Sequence, residues 1–202
     1  MFVRDLSENV IADIGHAFGF YDYGAERGLV SAFSEKENAA TYIRGYVRMA
    51  LRGGFLHTTS ERQEGFIVYK LPGQKITLSC LWPLLKAVFA SMTFGELMHF
   101  ARCMTKDGVG LKKSFEKAKT PFVYVGMVCV REAYQGQGYM RKVMDIAFAE
   151  GDRLQIPVVL ETDAKSKCDK YVHLGMQVER THDMGDLGTL YDLIRYPAPP
   201  AQ

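Results

Sequence analysis

Residues 128–144 read VCVREAYQGQGYMRKVM, and the fold turns on how this stretch changes character along its length. An apolar run closes at Val130 with the composition of a buried strand. A polar segment bearing Gly136 and Gly138 follows as a loop. A helix then begins near Tyr139, with Met140, Val143, Met144, Ala147 and Leu154 making one apolar stripe. Glycines at a strand-to-helix turn let the backbone approach a ligand closely, and the N–H groups at the helix start favour a phosphate. Arg141 and Lys142 add positive charge beside them. A bare GxG is also what an ordinary tight turn looks like, so the segment by itself is a moderate signal.

Outward from this segment, the chain alternates strands and helices. Upstream, Phe122–Val130 is almost wholly apolar and reads as a strand buried on both faces. Gly54–Thr58 and Gly65–Leu71 flank the polar SERQE and read as a hairpin, ended by Pro72-Gly73. Ser34-x-x-Glu37 and Thr93-x-x-Glu96 have the form of capping boxes, and Ser7 caps a weaker helix. Downstream come strands at Val158–Glu161, Gln177–Arg180 and Thr189–Arg195, then a proline-rich tail expected to fray. Crossovers through helices imply parallel pairs and hairpins antiparallel ones, so the expected architecture is α/β with a mixed sheet. A single domain is expected over residues 1–196, with a helical insertion at about 76–120 and a tail at 197–202.

The loop fits neither a Rossmann fingerprint, having no G-x-G-x-x-G, nor a Walker loop, having no GK[S/T]. The phosphate-cradling option left is the pyrophosphate of coenzyme A. Gln135-Gly-Gln-Gly-Tyr-Met140 resembles the Q/R-x-x-G-x-G/A motif of the GNAT superfamily of N-acetyltransferases. FVYVGMVCVREAY resembles that family's fourth strand and its continuation. Leu160-Glu-Thr-Asp163 resembles its fifth strand, and Tyr171-Val-His-Leu-Gly-Met176 the Y-x-x-x-G-F close of its fourth helix. The spacing from LET to Tyr171 is similar to that of small-molecule members, including puromycin acetyltransferase-like proteins. The resemblance is specific over residues 121–196 and only topological before them. It implies a GNAT acyl-CoA N-acyltransferase fold whose helical insertion precedes the fourth strand.

Acetyl transfer to an amine needs a neutral amine, a polarised thioester carbonyl and a proton for the departing thiolate. The resemblance implies acetyl-CoA as co-substrate and no metal. It assigns main-chain contacts with the pantetheine and thioester to Val128, Cys129 and Val130. Gln135, Gly136, Gln137, Gly138, Tyr139, Met140 and Arg141 would take the pyrophosphate, and Tyr171 would donate the proton. Glu161 is the candidate base, ahead of His57, Glu64 and His173, which read as solvated or structural. Ala164 and Lys167 depart from the asparagines common in relatives, and Phe122 from a histidine. Lys165, Lys167 and Lys170 read first as a solvated basic face and second as charge offered to the coenzyme.

Composition narrows the partners. With 25 basic and 23 acidic residues the net charge is +2, too little bias for a nucleic-acid surface. Cys80, Cys103, Cys129 and Cys168 form no CxxC pair and have no histidine at zinc spacing, as for reduced thiols in a cytoplasmic protein. The amino-terminal residues lack a signal-peptide core, and the apolar stretch Ile76–Met104 carries too much polarity for a membrane span. Trp82, Phe89, Phe94, Met98, Phe100 and Met104 either pack on the sheet or a homodimer partner, or line an acceptor pocket; Phe18, Phe20, Tyr21 and Tyr23 raise the same choice. The expected enzyme acetylates a small-molecule amine. The alternatives are a catalytically weak acyl-CoA-binding sensor and an acetyltransferase for protein amines.

Overall fold

The computed structural model describes residues 1–103 and 110–199. Before the glycine loop lie helices α1 (Glu8–Gly19) and α2 (Lys36–Gly53), strands β1 (Leu56–Thr58) and β2 (Gly65–Lys70), helices α3 (Leu78–Ser91), α4 (Phe94–Cys103) and α5 (Leu111–Ala118), and strand β3 (Val123–Val130). After it come α6 (Tyr139–Leu154), β4 (Val158–Thr162), α7 (Lys165–His173), β5 (Gln177–Asp183) and β6 (Thr189–Arg195). Among the described residues the strands form one mixed sheet in the order β1-β2-β3-β4-β6-β5. β3 and β4 are parallel, joined through α6, as expected for a helical crossover. β6 threads between β4 and β5, antiparallel to both. This mixed sheet with helices on both faces is the architecture expected of the GNAT acetyltransferase fold.

Local signals explain most of the boundaries. Ser7 accepts from the Val10 N–H at the start of α1. Thr93 and Glu96 exchange the two bonds of a capping box, at 2.7 Å and 3.3 Å, and Glu96 also accepts from the Ser34 N–H. The Ser34 box expected at α2 does not form. That helix starts one residue later with Glu35 at its cap, and Glu37 reaches Arg44 instead. Gly54, at φ 72°, ends α2 in the left-handed region that glycine enters without strain. The tail is not frayed where described: Ala198 donates to Asp152 at 2.7 Å and accepts from Gln155 at 3.0 Å.

Two cores sandwich the sheet. Ile11, Ile14, Ile43 and Val47 of α1 and α2 pack on Leu56, Phe66 and Val68, while Val143, Met144 and Ala147 of α6 pack on Val123, Val125 and Leu160. β3 serves both cores. Val123 and Val125 face α6, yet Met127 and Cys129 face α1 and α2. The switch occurs at Gly126, skipped by the register with β2, where Val68 pairs Met127 and Tyr69 pairs Val125. One unpaired residue reverses the alternation of the strand. β3 is therefore not buried on both faces throughout, as its apolar letters suggest. Tyr124, Val128 and Val130 are only half-buried and Gly126 is exposed, because that stretch borders a cleft.

The insertion is anchored on α2 through a close approach. A Cβ on Gly45 would lie 2.2 Å from the Cβ of Ala87. Gly45→Val is expected to force α2 and α3 apart at a cost of about 1–3 kcal/mol. In a chain of this size that corresponds to a fall in Tm of a few to roughly ten degrees, measurable by calorimetry.

Candidate active site

The central feature is a split in the sheet. β3 and β4 pair only over Val123–Val125, opposite Val158–Leu160, and part beyond that point. A cleft of about 680 Å³ opens there. Its floor is the stretch Tyr124–Val130, its far wall Leu160–Asp163 and Tyr171, and its near wall Phe18, Tyr21, Tyr42 and Tyr46. A strand that leaves its neighbour frees main-chain N–H and C=O groups, which are obligatory hydrogen-bonding groups, to a ligand.

The glycine loop closes one end. Gly136 and Gly138 have φ of 72° and 75°, a conformation costly for residues with a Cβ. A Cβ on either would meet nothing within 4 Å, so the protein itself leaves that space open. Gly138 caps α6 with no side-chain bond, and the N–H groups of residues 136 to 140 have no acceptor among the described residues. Helix start and uncommitted N–H groups together suit an anion. Gln135 donates to the Val130 carbonyl at 3.1 Å and pins the loop to the end of β3. Gln135, Gly136, Gly138, Tyr139 and Met140 line the cleft with Val128, Cys129 and Val130; Gln137 and Arg141 do not. The Gln137 amide donates to Ala133, and Arg141 reaches the carbonyl of His173. Cys129 offers only its backbone, since burial pushes its thiol up to about 12.

Tyr171 stands opposite the end of β3. Its ring packs in the α6 core, 8% exposed, while the side chain borders the cleft. The hydroxyl makes no hydrogen bond to the described residues, so it can donate to a ligand. Burial and then the charge of Asp163 hold this phenol well above its ordinary value. It stays protonated at any physiological pH, the state required of a proton donor.

Glu161 lies at the other end of the cleft. Tyr124 donates to its Oε2 at 3.2 Å. Across the β4–β6 pairing stands Asp192, fully buried, whose Oδ2 is bonded to the Leu111 N–H and to His182 Nε2, both at 2.8 Å. Its Oδ1 has no partner among the described residues. The two carboxylates crowd Gly110, where a Cβ would lie 2.8 Å from Glu161 Oε1 and 3.7 Å from Asp192 Oδ1. Burial and then Asp192 raise the Glu161 carboxyl above its usual range, against the Tyr124 bond and Lys112. The cleft thus has one end bordered by uncommitted N–H groups and another that is acidic.

Between them, Asp163 ties the amino-terminal loop to the far wall. It accepts from Tyr23 at 2.7 Å, from the Leu29 N–H at 2.6 Å and from Lys167 at 2.8 Å. Burial opposes the carboxylate, but Lys167 and these bonds outweigh it and hold Asp163 below the ordinary range. The Lys167 ammonium lies 4.5 Å and 4.4 Å from the rings of Tyr21 and Tyr23. It is therefore paired rather than solvated, yet it lines the cleft, as does Lys170, whereas Lys165 pairs with Asp169 at the surface. Ala164 is buried at the start of α7.

Other candidates fall outside this arrangement. His57 is bonded to the Phe55 carbonyl and Tyr69, Glu64 accepts from Thr59 and Ser60 in the hairpin turn, and His173 is exposed at the end of α7. Phe122 packs against Phe115 and Tyr124. Of the insertion aromatics, Phe100 lines the cleft while Trp82, Phe89 and Phe94 are exposed; Met104 lies outside the described residues. Among the described residues no group of three or more His, Cys, Asp or Glu could hold a metal, the four cysteines are buried and unpaired, and no single helix is long and apolar enough to cross a membrane.

No family profile and no curated protein matches this sequence. Solved structures do. A Corynebacterium glutamicum protein described as histone acetyltransferase HPA2 and related acetyltransferase superposes with a TM-score of 0.62 at 13% identity, covering 100% of this chain and 97% of that one. An N-acetyltransferase from Staphylococcus aureus gives 0.54 at 15% identity, covering 96% and 100%. Arylalkylamine N-acetyltransferase 2 from Aedes aegypti gives 0.53 at 10% identity, covering 97% and 98%. The fold is that of GNAT acetyltransferases over the full length of the chain.

Proposed function

We propose that this GNAT-fold chain is an N-acetyltransferase that takes its acetyl group from acetyl-CoA and delivers it to the amine of a small molecule. The observation that carries this reading is the parting of β3 from β4 beside a loop whose N–H groups have no acceptor among the described residues. Acetyl-CoA supplies an activated acyl group, and the residues present fit it. Residues 136–140 receive the pyrophosphate on backbone N–H groups, and the freed edge of Val128–Val130 aligns the pantetheine and polarises the thioester carbonyl. Tyr171 holds the proton that the departing thiolate needs. Glu161, with its raised carboxyl, takes the proton of the acceptor ammonium directly or through a water. An aromatic near wall of Phe18, Tyr21, Tyr42 and Tyr46 suits a compact, partly apolar amine better than a long basic peptide. Residues 1–196 act as one unit in this reading.

Thiol release from acetyl-CoA with a panel of arylalkylamines, polyamines and lysine peptides tests this. The expected result is turnover on a small amine. Coenzyme binding with no turnover on any amine would favour the sensor alternative.

The Glu161 assignment has a pH signature. A base works only when ionised, so kcat/KM rises with pH through the raised value of this carboxyl and collapses below it. Glu161→Gln is expected to lower kcat/KM at neutral pH by roughly 10²-fold and to abolish that acidic limb. Stability moves the other way. A carboxyl raised in the folded state binds its proton at higher pH than in the unfolded chain, so stability falls as pH rises through that window. Glu161→Gln should therefore raise Tm at neutral pH. A pH-rate profile with paired melting curves reads both effects.

A further inference from the structure

Helix α3 carries an apolar seam that the rest of the described chain does not cover. Leu78, Trp82, Leu85 and Phe89 are 83%, 55%, 41% and 76% exposed. Their spacing of four, three and four residues places them on one narrow stripe, opposite the face that Cys80, Ala87 and Ser91 bury. Three residues past the end of α3, and bent 114° from it, α4 adds Phe94 at 79% and Met98 at 47% exposure. With free aromatics presenting about 150–250 Å² each, these six residues expose on the order of 700 Å². That is close to the roughly 800 Å² that each partner contributes to a standard interface.

The spacing says what kind of surface fits. A strict 4-3-4 seam is the pattern that packs against another helix, whereas a helix lying in a lipid surface presents a broader apolar face opposite a strongly charged one. The seam is also self-complementary. When two copies of α3 meet antiparallel about a two-fold axis, Leu78 falls opposite Phe89 and Trp82 opposite Leu85, a large side chain against a smaller one in each layer. Lys86, with its ammonium 5.5 Å from the Trp82 ring, stays at the edge of such a seam.

We infer that α3 and the start of α4 form an isologous homodimer interface, with α3 packed antiparallel against the α3 of a second copy. The cleft opens elsewhere, so the inference stands apart from the acetyl-transfer reading, and either can fail alone. Trp82 is the only tryptophan in the chain and reports on the seam directly. Sedimentation of the full chain from low to high micromolar concentration is expected to give twice the 22.8 kDa chain mass, falling on dilution. Tryptophan emission should move to shorter wavelength in step with the mass. Both copies carry any substitution in an isologous interface, so Phe89→Glu should weaken association by at least ~100-fold with an unchanged circular dichroism spectrum. Leu78→Glu should act likewise. A chain that stays monomeric throughout this range overturns the inference, as does a dimer that both substitutions leave intact. A monomer that binds phosphatidylcholine–phosphatidylglycerol vesicles with the same emission shift overturns it too, and assigns the face to a lipid surface.

Discussion

Tyr171→Phe is expected to lower kcat roughly 10²–10³-fold while leaving the KM for acetyl-CoA nearly unchanged. The split follows from the geometry. The ring is packed in the α6 core and remains so in the variant, whereas the hydroxyl has no partner among the described residues and Tyr171 borders the cleft. Removing a hydroxyl that nothing in the protein bonds leaves no group unsatisfied, so Tm should hold within a degree or two. Steady-state kinetics with the best amine of the panel, beside a melting curve, checks the pair of expectations. Wild-type turnover in this variant would move the proton donor to another residue.

Gly138→Asp is expected to abolish coenzyme binding, raising Kd by at least ~100-fold, at a stability cost of no more than about 1–2 kcal/mol for the left-handed backbone. Aspartate tolerates the left-handed backbone better than most residues, and its side chain would enter space where a Cβ meets nothing. A carboxylate at a helix N-terminus is, if anything, favourable to the helix, by about 0.3–1 kcal/mol. Its charge would also occupy the cradle that residues 136–140 offer to a pyrophosphate. Titration calorimetry with coenzyme A separates the two effects, because folding is retained while binding is lost. Unaltered binding in Gly138→Asp would place the anion elsewhere.

What the sequence could and could not show divides along physical lines. The strand–loop–helix of residues 123–154 was legible because apolar period, glycines and helix stripe agree locally, and the hairpin and the Thr93–Glu96 cap were legible for the same reason. The bulge at Gly126 was not, since a glycine inside an apolar run carries no mark of which neighbour it will fail to pair. That one residue decides which side chains of β3 meet the cleft. The Ser34 box failed because Glu96, sixty-two residues away, bonds to the Ser34 N–H. Glu161 was visible as a charge ending a strand, but its partner Asp192 was not singled out. An aspartate within the apolar TLYDLIR strand was the available signal. Asp163 and Lys167 stand four residues apart across the start of α7, yet their role depends on Tyr23, which only the folded chain brings to them.

The crystal structure of the chain with bound acetyl-CoA tests the central claim most directly. The account predicts the pyrophosphate on the N–H groups of residues 136–140, the pantetheine along Val128–Val130 in the gap between β3 and β4, and the thioester sulfur within hydrogen-bonding reach of the Tyr171 hydroxyl. A coenzyme seated away from that gap, or a sulfur remote from Tyr171, would contradict it.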